Sequence, residues 1–258
     1  MLTYERHEAI LQLLEKQKIA KLAELVNETG ASESTIRRDL TILENEKKIK
    51  RIHGGASLLK RKVEEPSMIE KQQQFTVEKQ QMGEKAAGFI KDGDSLFIDA
   101  GTSTQAILPY IKAKDVVIVT NGLNIIEEAI NLNFRTYVLG GYVKSGTHAF
   151  VGKGAVEAIQ QFQFDKAFIG TNGVDLNFGY STPDPEEAQI KHLAIKQSNH
   201  SFVLADSSKF GDVTFAKFAD LNEAVLITTE GDDDEFFKKL KQIVTLEVVK
   251  DDDIYSNH

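Results

Sequence analysis

Apolar residues recur every three or four positions in three stretches near the start of the chain, which predicts three amphipathic helices. The first stretch covers about residues 3–17 and the second about residues 21–28. Gly30 then breaks the pattern and permits a tight turn. Ser32 is a suitable N-cap for the third helix. The apolar stripe of that helix consists of Ile36, Leu40 and Leu43.

The face of the third helix opposite its apolar stripe is rich in hydrogen-bond donors. At about 100° per residue, this face holds Ser34, Arg38, Thr41 and Asn45, with Arg37 on the flank. Such side chains suit base edges and phosphate oxygens. Two helices joined by a short turn are typical of a helix-turn-helix, whose second helix enters the major groove. The alternative is a three-helix bundle with a solvated basic face.

A basic segment follows the third helix. Charged and apolar residues alternate from Lys48 to Ile52, which predicts a short strand, and Gly54-Gly55 is expected at a hairpin tip. A basic hairpin beside a recognition helix can rest on the DNA backbone, so the combination favours DNA binding over a plain bundle. The predicted DNA contacts are Ser34, Thr35, Arg37, Arg38, Thr41, Lys50, Arg51 and His53.

Charge divides the chain in the same way. The formal net charge is -8 over 258 residues. Residues 1–60 nevertheless hold eleven Lys or Arg and nine Asp or Glu, which leaves the acidic excess in the remainder. This asymmetry indicates an anion-binding head on an acidic body.

Composition limits the other classes of function. The chain has no cysteine, which excludes disulfides and thiolate metal sites and suits a cytoplasmic protein. Its six histidines show no metal-ligand spacing, so neither a metal nor another cofactor is expected. There is no run of about 18 apolar residues, so we expect no membrane span.

A polar segment containing Pro66 separates the head from the rest of the chain. We expect a connector as far as Pro66 and then one helix running toward Ile90, acting either as a flexible tether or as a semi-rigid lever. The predicted domains are a DNA-binding domain over residues 1–58, a linker over 59–76 and an effector-binding domain over 77–258.

Short apolar runs alternate with amphipathic ones beyond Asp94, which predicts an α/β domain with a largely parallel sheet. The predicted strands are residues 95–99, 116–121, 135–141, 166–170, 201–206, 224–229 and 244–249. The predicted helices are residues 103–111, 125–131, 154–162, 186–197 and 234–241.

Small and polar residues follow several of these strands, where open parallel sheets bind ligands. Loop amides and lysines suit a phosphate, and Asp, Asn and Glu suit hydroxyl groups, so the set favours a phosphorylated polyol. Gly152-Lys153-Gly154 lacks the context of a dinucleotide fingerprint, so NAD is not expected. The candidate effector residues are Asp99, Gly101, Thr102, Ser103, Thr104, Thr120, Asn121, Gly140, Gly141, Gly170, Asn172, Glu187, Lys191, Asp206 and Lys209.

These motifs resemble those of DeoR-type bacterial transcriptional repressors. The N-terminal match comprises ERHEAI at 5–10, SESTIRRDL at 32–40, LE at 43–44 and RIHGGA at 51–56. One departure is Lys47, where that family usually has glycine; a left-handed cap there costs about 1 kcal/mol relative to glycine. The C-terminal match comprises DAGTST, VTNG, LGG, FIGTNGVD, STPDPEEAQIK and LADSSKFG.

The resemblance implies a winged helix joined to a sensor domain whose fold is similar to ribose-5-phosphate isomerase and glucosamine-phosphate deaminase. Within the family, the stretches STPDPEEAQIK and ADSSKFGDVTFAKFADL most resemble repressors of fructose operons. That implies fructose 1-phosphate as the inducer and dimers or tetramers that grip paired operator half-sites.

Two other functions remain open at this stage. One is a sugar-phosphate isomerase or deaminase with an appended DNA-binding head, using Asp99, Glu187, Lys191 and Asp206 for acid and base chemistry. The absence of a recognisable catalytic pair and the presence of the head argue against it. The other is a DNA-binding scaffold whose body binds no ligand.

Overall fold

The computed structural model describes residues 2–17, 19–46, 48–52, 54–58, 67–229 and 235–249. The chain divides into two compact units, Met1–Arg61 and Lys62–His258. None of the described helices combines the length and apolar composition needed to cross a bilayer.

The N-terminal unit contains the three helices and the basic hairpin expected from the sequence. A further strand, β1, was not predicted; it pairs antiparallel with β3, which also pairs with β2. The second helix begins at Leu22, one residue later than expected. The elements are α1 (Thr3–Gln17), β1 (Ile19–Lys21), α2 (Leu22–Thr29), α3 (Glu33–Asn45), β2 (Ile49–Ile52) and β3 (Gly55–Leu58).

Local chemistry explains the bounds of these elements. Gly30 ends α2 in the left-handed conformation at φ 66°, and the Ser32 side chain accepts a hydrogen bond from the Thr35 N–H to begin α3. Gly54 turns the hairpin at φ 71°, whereas Gly55 is already the first residue of β3. Lys47 and His53, which carry two of the sequence predictions, lie outside the described residues.

The C-terminal unit is built on a seven-stranded sheet. Its order is β15-β14-β12-β9-β4-β5-β6, and every neighbouring pair is parallel. The strands of this sheet are β4 (Ser95–Ile98), β5 (Val117–Thr120), β6 (Arg135–Val138), β9 (Phe164–Gly170), β12 (Ser198–Leu204), β14 (Val225–Thr229) and β15 (Leu246–Val249).

Two smaller sheets and seven helices complete the described part of this unit. The smaller strands are β7 (Tyr142–Val143), β8 (Phe150–Val151), β10 (Gly173–Asp175), β11 (Gly179–Thr182) and β13 (Ala216–Ala219). The α-helices are α4 (Met68–Gln72), α5 (Thr76–Ala87), α6 (Thr102–Gln105), α7 (Leu123–Asn131), α8 (Lys153–Ile159), α9 (Pro185–Lys196) and α10 (Glu235–Ile243). Short 3-10 turns occur at Leu108–Tyr110, Ser207–Lys209 and Leu221–Glu223.

The sheet is apolar on both faces because helices cover both of its sides, as a parallel sheet requires. Phe97 and Val119 pack in the core cluster on one face, and Leu96 and Ile118 pack in the cluster on the other. From β4 the chain proceeds to β5 and β6 in one direction and returns at β9 to build the other half. The boundary between β4 and β9 is therefore the topological switch point, where ligands bind in such sheets.

Two predicted helices are wrong in their extent. The helix expected over residues 103–111 ends as α6 at Gln105 and is followed by the 3-10 turn that contains Pro109. The helix expected from Pro66 toward Ile90 is two helices, because Phe75 adopts a left-handed conformation at φ 55° between α4 and α5.

Part of the predicted linker over residues 59–76 is helical, because α4 lies within it. Met68 is buried, and its N–H donates to the carbonyl of Gly146 at 2.9 Å. The first helix after the head therefore belongs to the packing of the C-terminal unit. Residues 59–66 lie outside the described part of the chain.

Candidate nucleic-acid interface and effector site

The outer face of α3 presents most of the predicted DNA contacts to solvent. Ser34, Arg37, Arg38 and Thr41 are exposed, and Thr35 is half-buried. An open cleft beside this face is lined by Thr3, Arg6, Ser34, Thr35, Arg38, Asp39 and Ile42. The start of α1 therefore contributes to the same surface as α3.

The two arginines of α3 differ in their partners. The Arg37 guanidinium donates to Glu33 at 2.7 Å, one turn earlier on the helix. For Arg38, by contrast, the described residues provide neither an ion-pair partner nor a hydrogen bond. Arg38 is thus an exposed cation of α3 that the described residues leave without a charged partner.

The hairpin is fastened to α3 by hydrogen bonds. Arg51 Nη1 donates to Thr41 Oγ1 at 3.1 Å, and the Arg51 N–H donates to a Glu44 carboxylate oxygen at 2.8 Å. Lys50, on the same strand, is half-buried. These contacts fix the position of β2 relative to α3, so the predicted helix and hairpin contacts form one surface.

A buried carboxylate ties α1 to α3. Asp39 is 2% exposed and accepts hydrogen bonds from Arg6 and lies 3.2 Å from His7 Nε2. Burial raises the pKa of Asp39, but the hydrogen bonds from Arg6 and His7 outweigh it and hold the pKa below its usual range. This network was not predicted from the sequence, although Asp39 is the one acidic residue between Ile36 and Leu40.

The C-terminal unit places a buried ion pair at the switch point. Lys191 Nζ pairs with Asp99 and donates to the Gly170 carbonyl at 3.0 Å, while the Gly170 N–H donates to Asp99 at 3.0 Å. Asp99 and Lys191 are 1% and 3% exposed. Burial raises the pKa of Asp99 against the opposing effects of Lys191 and the Gly170 amide.

A second group of charges adjoins this pair. Glu187, one helical turn before Lys191, accepts hydrogen bonds from Lys144 Nζ and Thr147 Oγ1, both at 2.7 Å. Lys144 also pairs with Asp184 at 2.8 Å. Burial raises the pKa of Glu187, but Lys191 and Lys144 together lower it below the usual range. Glu187 is among the predicted effector residues, whereas Lys144 and Thr147 are not.

A third group lies at the end of β12. Asp206 is buried, accepts a hydrogen bond from the Ser208 N–H at 3.0 Å and lies 3.7 Å from Lys209 Nζ. Lys79 is buried nearby, and burial lowers its pKa to about 8 although Asp206 partly opposes this shift. Lys79 was not among the predicted site residues.

Several predicted effector residues make internal contacts. Thr104 Oγ1 donates to the Asp99 carbonyl at 2.7 Å, and Thr120 Oγ1 donates to the Ile98 carbonyl at 2.6 Å. Asn121 Oδ1 accepts from the Ala100 N–H at 3.0 Å. These side chains shape the loop after β4 and are engaged within the protein.

The remaining predicted residues divide into accessible and supporting ones. Gly101, Thr102 and Ser103 are half-buried, so the DAGTST loop is open to solvent on one side. Asn172 Oδ1 accepts from Thr182 at 3.1 Å. Gly140 is exposed, and Gly141 needs its glycine because a Cβ at φ 128° would lie 2.4 Å from the Val151 carbonyl oxygen.

Residues 67–87, here called the connector segment, contact several loops around this polar region. Helix α4 packs against α6, and Met68 bonds Gly146 in the loop that carries Lys144 and Thr147. The Phe75 ring lies 5.9 Å from Lys209 Nζ. Lys79 Nζ donates to the carbonyls of Lys71 and Gln74, which holds the turn between the two helices closed.

In the described ranges, no group of three or more His, Asp or Glu side chains is placed to hold a metal ion.

Comparison with known proteins matches both units. A model of the DeoR-like helix-turn-helix domain matches residues 6–62, and one of the DeoR C terminal sensor domain matches residues 74–231. The chain is 45% identical over 251 residues to the uncharacterized HTH-type transcriptional regulator FruR of Bacillus subtilis, covering 97% of this chain and 100% of that protein. It is 34% identical to a lactose phosphotransferase system repressor of Staphylococcus epidermidis, covering 93% and 97%.

Likeness to solved structures is weaker. Ribose 5-phosphate isomerase from Plasmodium falciparum matches with a TM-score of 0.39 and 18% identity, covering 51% of this chain and 52% of that one. A probable sor operon regulator from Shigella flexneri matches with a TM-score of 0.39 and 10% identity, covering 72% and 88%. The sequence matches over both units carry the assignment: the chain belongs to the DeoR family of transcriptional regulators, with a helix-turn-helix head and a C-terminal sensor domain.

Proposed function

We propose that this protein represses a fructose-utilisation operon from the cytoplasm and that a phosphorylated sugar, fructose 1-phosphate, releases it from operator DNA. One observation carries the proposal. Asp99, Glu187, Lys191 and Asp206 lie with the open DAGTST loop at the carboxyl ends of the central strands of the sheet. The sequence resemblance to fructose-operon repressors and the relative named FruR support the choice of fructose.

The charges of the site suggest where each part of the effector binds. Lys191 is neutralised by Asp99, so its role in the proposal is to orient that carboxylate toward sugar hydroxyls. Lys209 is only loosely paired with Asp206, at 3.7 Å, and is the cation best able to turn toward a phosphate. The amides of Thr102 and Ser103 on the open side of the loop would complete the phosphate site.

The connector segment provides the link to the DNA-binding head. Its contacts with α6, with the Gly146 loop and with Lys209 all involve parts of the proposed effector site. An effector phosphate that draws Lys209 away from Phe75 would favour a different seating of α4, and α4 leads back along the chain to the head.

The effector then acts by shifting populations rather than by blocking DNA directly. It binds better to a conformer whose paired heads are badly spaced for operator half-sites. A coupling free energy of about 2–3 kcal/mol would weaken operator binding by roughly 30–150-fold.

A thermal-shift screen tests the effector. Fructose 1-phosphate at about 100 times its dissociation constant should stabilise the protein by about 2.7 kcal/mol, whereas fructose and inorganic phosphate alone should not. Lys209→Met should abolish the shift. Lys217→Met is the matched control, because Lys217 forms a surface pair with Asp220 outside the proposed site. The absence of a shift with every phosphorylated hexose would contradict the proposal.

An enzymatic function is the second candidate, favoured by the buried Asp99, whose pKa is raised as a general acid would require. The relatives named above are transcriptional regulators, which supports a non-enzymatic protein. Incubation of the purified protein with sugar phosphates, followed by NMR, distinguishes the two: we expect the sugars to remain unchanged.

A further inference from the structure

Lys79 is a buried cation that is held by backbone carbonyls. It lies on α5 and is 8% exposed. Its Nζ donates to the carbonyls of Lys71 and Gln74, the second at 2.6 Å, and within the described ranges it forms no ion pair with a carboxylate. A buried charge is costly unless an opposite charge compensates it. Two carbonyl dipoles compensate it only in part, so the ammonium group is suited to an incoming anion.

The same two hydrogen bonds close a strained turn. Phe75 joins α4 to α5 in the left-handed conformation at φ 55°, which is unfavourable for a residue with a Cβ. Lys71 and Gln74 precede this residue and Lys79 follows it, so the ammonium group ties the two sides of the turn together. If Lys79 left the two carbonyls, the turn would lose the contacts that oppose its strain.

Charges from the end of β12 act on Lys79. Burial lowers the pKa of Lys79 to about 8; Asp206 and Glu78 oppose this shift, whereas Lys209 and Lys71 add to it. Strand β14 and helix α6, which also pack against α5, have no charged residue. The other titratable side chains on elements packed against α5 are Tyr110 and Glu247, and Glu247 pairs with Lys85 at 3.0 Å.

Lys209 connects this buried group with the open side of the site. Its Nζ lies 5.9 Å from the centre of the Phe75 ring, at the turn that Lys79 closes. It also acts electrostatically on Lys79 itself. A phosphate that binds to Lys209 therefore brings its negative charge into the field of Lys79.

We propose that Lys79 is a second phosphate-binding cation of the effector site, and that its ammonium group leaves the carbonyls of Lys71 and Gln74 when the phosphate binds. The inference rests on the proposed sugar-phosphate site and assigns a new residue to it. Because the departing group is the one that closes the turn at Phe75, binding of the effector loosens the connector segment directly.

The transfer has a measurable signature in protons. About half of the Lys79 side chains are neutral at pH 8 in the free protein, and a nearby phosphate favours the ammonium form. Binding therefore takes a proton from solvent, which forms an N–H bond at Nζ. The sugar phosphate itself is already a dianion above about pH 7. About half a proton should be taken up at pH 8, and affinity should fall roughly tenfold from pH 7 to pH 9.

Isothermal titration calorimetry of the full-length protein with fructose 1-phosphate tests this at pH 7, 8 and 9. Two buffers with different ionisation enthalpies give the number of protons taken up. Lys79→Met should bind roughly 10–100-fold more weakly at pH 7, without the uptake and with little change of affinity up to pH 9. Lys85→Met is the matched control on the same helix, because Lys85 pairs with Glu247, and it should behave like the wild type.

The outcomes separate this inference from the proposed function. Binding to the wild type without proton uptake, or equal uptake in Lys79→Met, would overturn the role of Lys79 and leave the sugar-phosphate site standing. Failure of every phosphorylated hexose to bind at any pH would overturn both.

Hydrogen exchange followed by mass spectrometry tests the opening of the turn in the wild type, without any substitution. The amides of residues 71–79 should exchange faster when fructose 1-phosphate is bound, because the turn has lost the hydrogen bonds from Lys79. Exchange in this segment that is slower or unchanged in the presence of saturating sugar phosphate would overturn the departure of Lys79 from the carbonyls.

Discussion

Replacement of Arg38 by alanine is the sharpest test of the DNA-binding surface. Arg38 is exposed on α3, lines the cleft with Ser34 and Thr35, and has no partner within the described part of the protein. Its loss should therefore cost DNA contacts without breaking an internal ion pair. A base-edge contact by arginine contributes about 1–3 kcal/mol, so operator affinity should fall roughly 5–150-fold.

Salt dependence shows which contact was lost. If Arg38 contacts a phosphate, the slope of log affinity against log salt should decrease by about 0.9. If it contacts a base edge, the slope changes less and discrimination between operator and unrelated DNA falls instead. Fluorescence anisotropy with a labelled duplex, selected by the protein from a random-sequence pool, measures both quantities.

Lys16→Ala is the control for charge alone. Lys16 is exposed at the last turn of α1, whereas Arg6, which lines the cleft, is ten residues earlier, or about 15 Å along the helix. Removal of Lys16 should change affinity by much less than removal of Arg38. If Arg38→Ala is folded and binds the selected duplex with unchanged affinity and salt slope, α3 is not the recognition helix.

Three further predictions concern the sensor unit. Lys191→Met should lower the free energy of unfolding by about 3–5 kcal/mol in urea titrations, because Asp99 stays buried without its cation. Lys79 has a native pKa of about 8, below that of the unfolded chain, so the native state holds fewer protons between these values. The free energy of unfolding of the wild type, measured relative to that of Lys79→Met, should thus rise by about 1 kcal/mol between about pH 7 and pH 9. Gly83→Ala should lower the thermal midpoint, because its Cβ would lie 2.3 Å from the Ala106 carbonyl oxygen.

Each of these predictions has a control. Adding Asp99→Asn to Lys191→Met should recover part of the lost stability, and an unchanged stability in Lys191→Met itself would contradict the buried pair. Equal pH dependence of wild type and Lys79→Met would show that Lys79 titrates normally. Gly146→Ala, whose Cβ would meet no atom within 4 Å, should leave the thermal midpoint unchanged. An unchanged midpoint in Gly83→Ala would refute the close packing of α5 against Ala106 at the end of α6.

Most of the fold could be predicted from the sequence because its signals are local. The apolar stripe of Ile36, Leu40 and Leu43 fixes α3, and runs such as VVIVT and AVLITT mark buried parallel strands. The break at Phe75 has no such signal, since a phenylalanine in the left-handed conformation is set by its tertiary contacts. The predicted continuous helix was therefore wrong.

The candidate site was only partly predictable for the same reason. Asp99, Glu187 and Lys191 were found because they follow strands or share a helix face. Lys144 lies 43 positions before Glu187 on a loop without any periodic pattern, so only the folded chain brings the two together. Conversely, Thr104 and Thr120 carry the right chemistry, but their hydroxyls bond backbone carbonyls.

The coupling between sugar phosphate and DNA is tested most directly by titrating fructose 1-phosphate into the complex of the protein with its selected duplex, followed by fluorescence anisotropy. The proposed repressor should release the DNA, with its affinity reduced roughly 30–150-fold at saturation, and Lys209→Met should remain bound. If affinity for DNA is unchanged although thermal shift shows that the sugar phosphate binds, the sensor unit does not control the head in the way proposed.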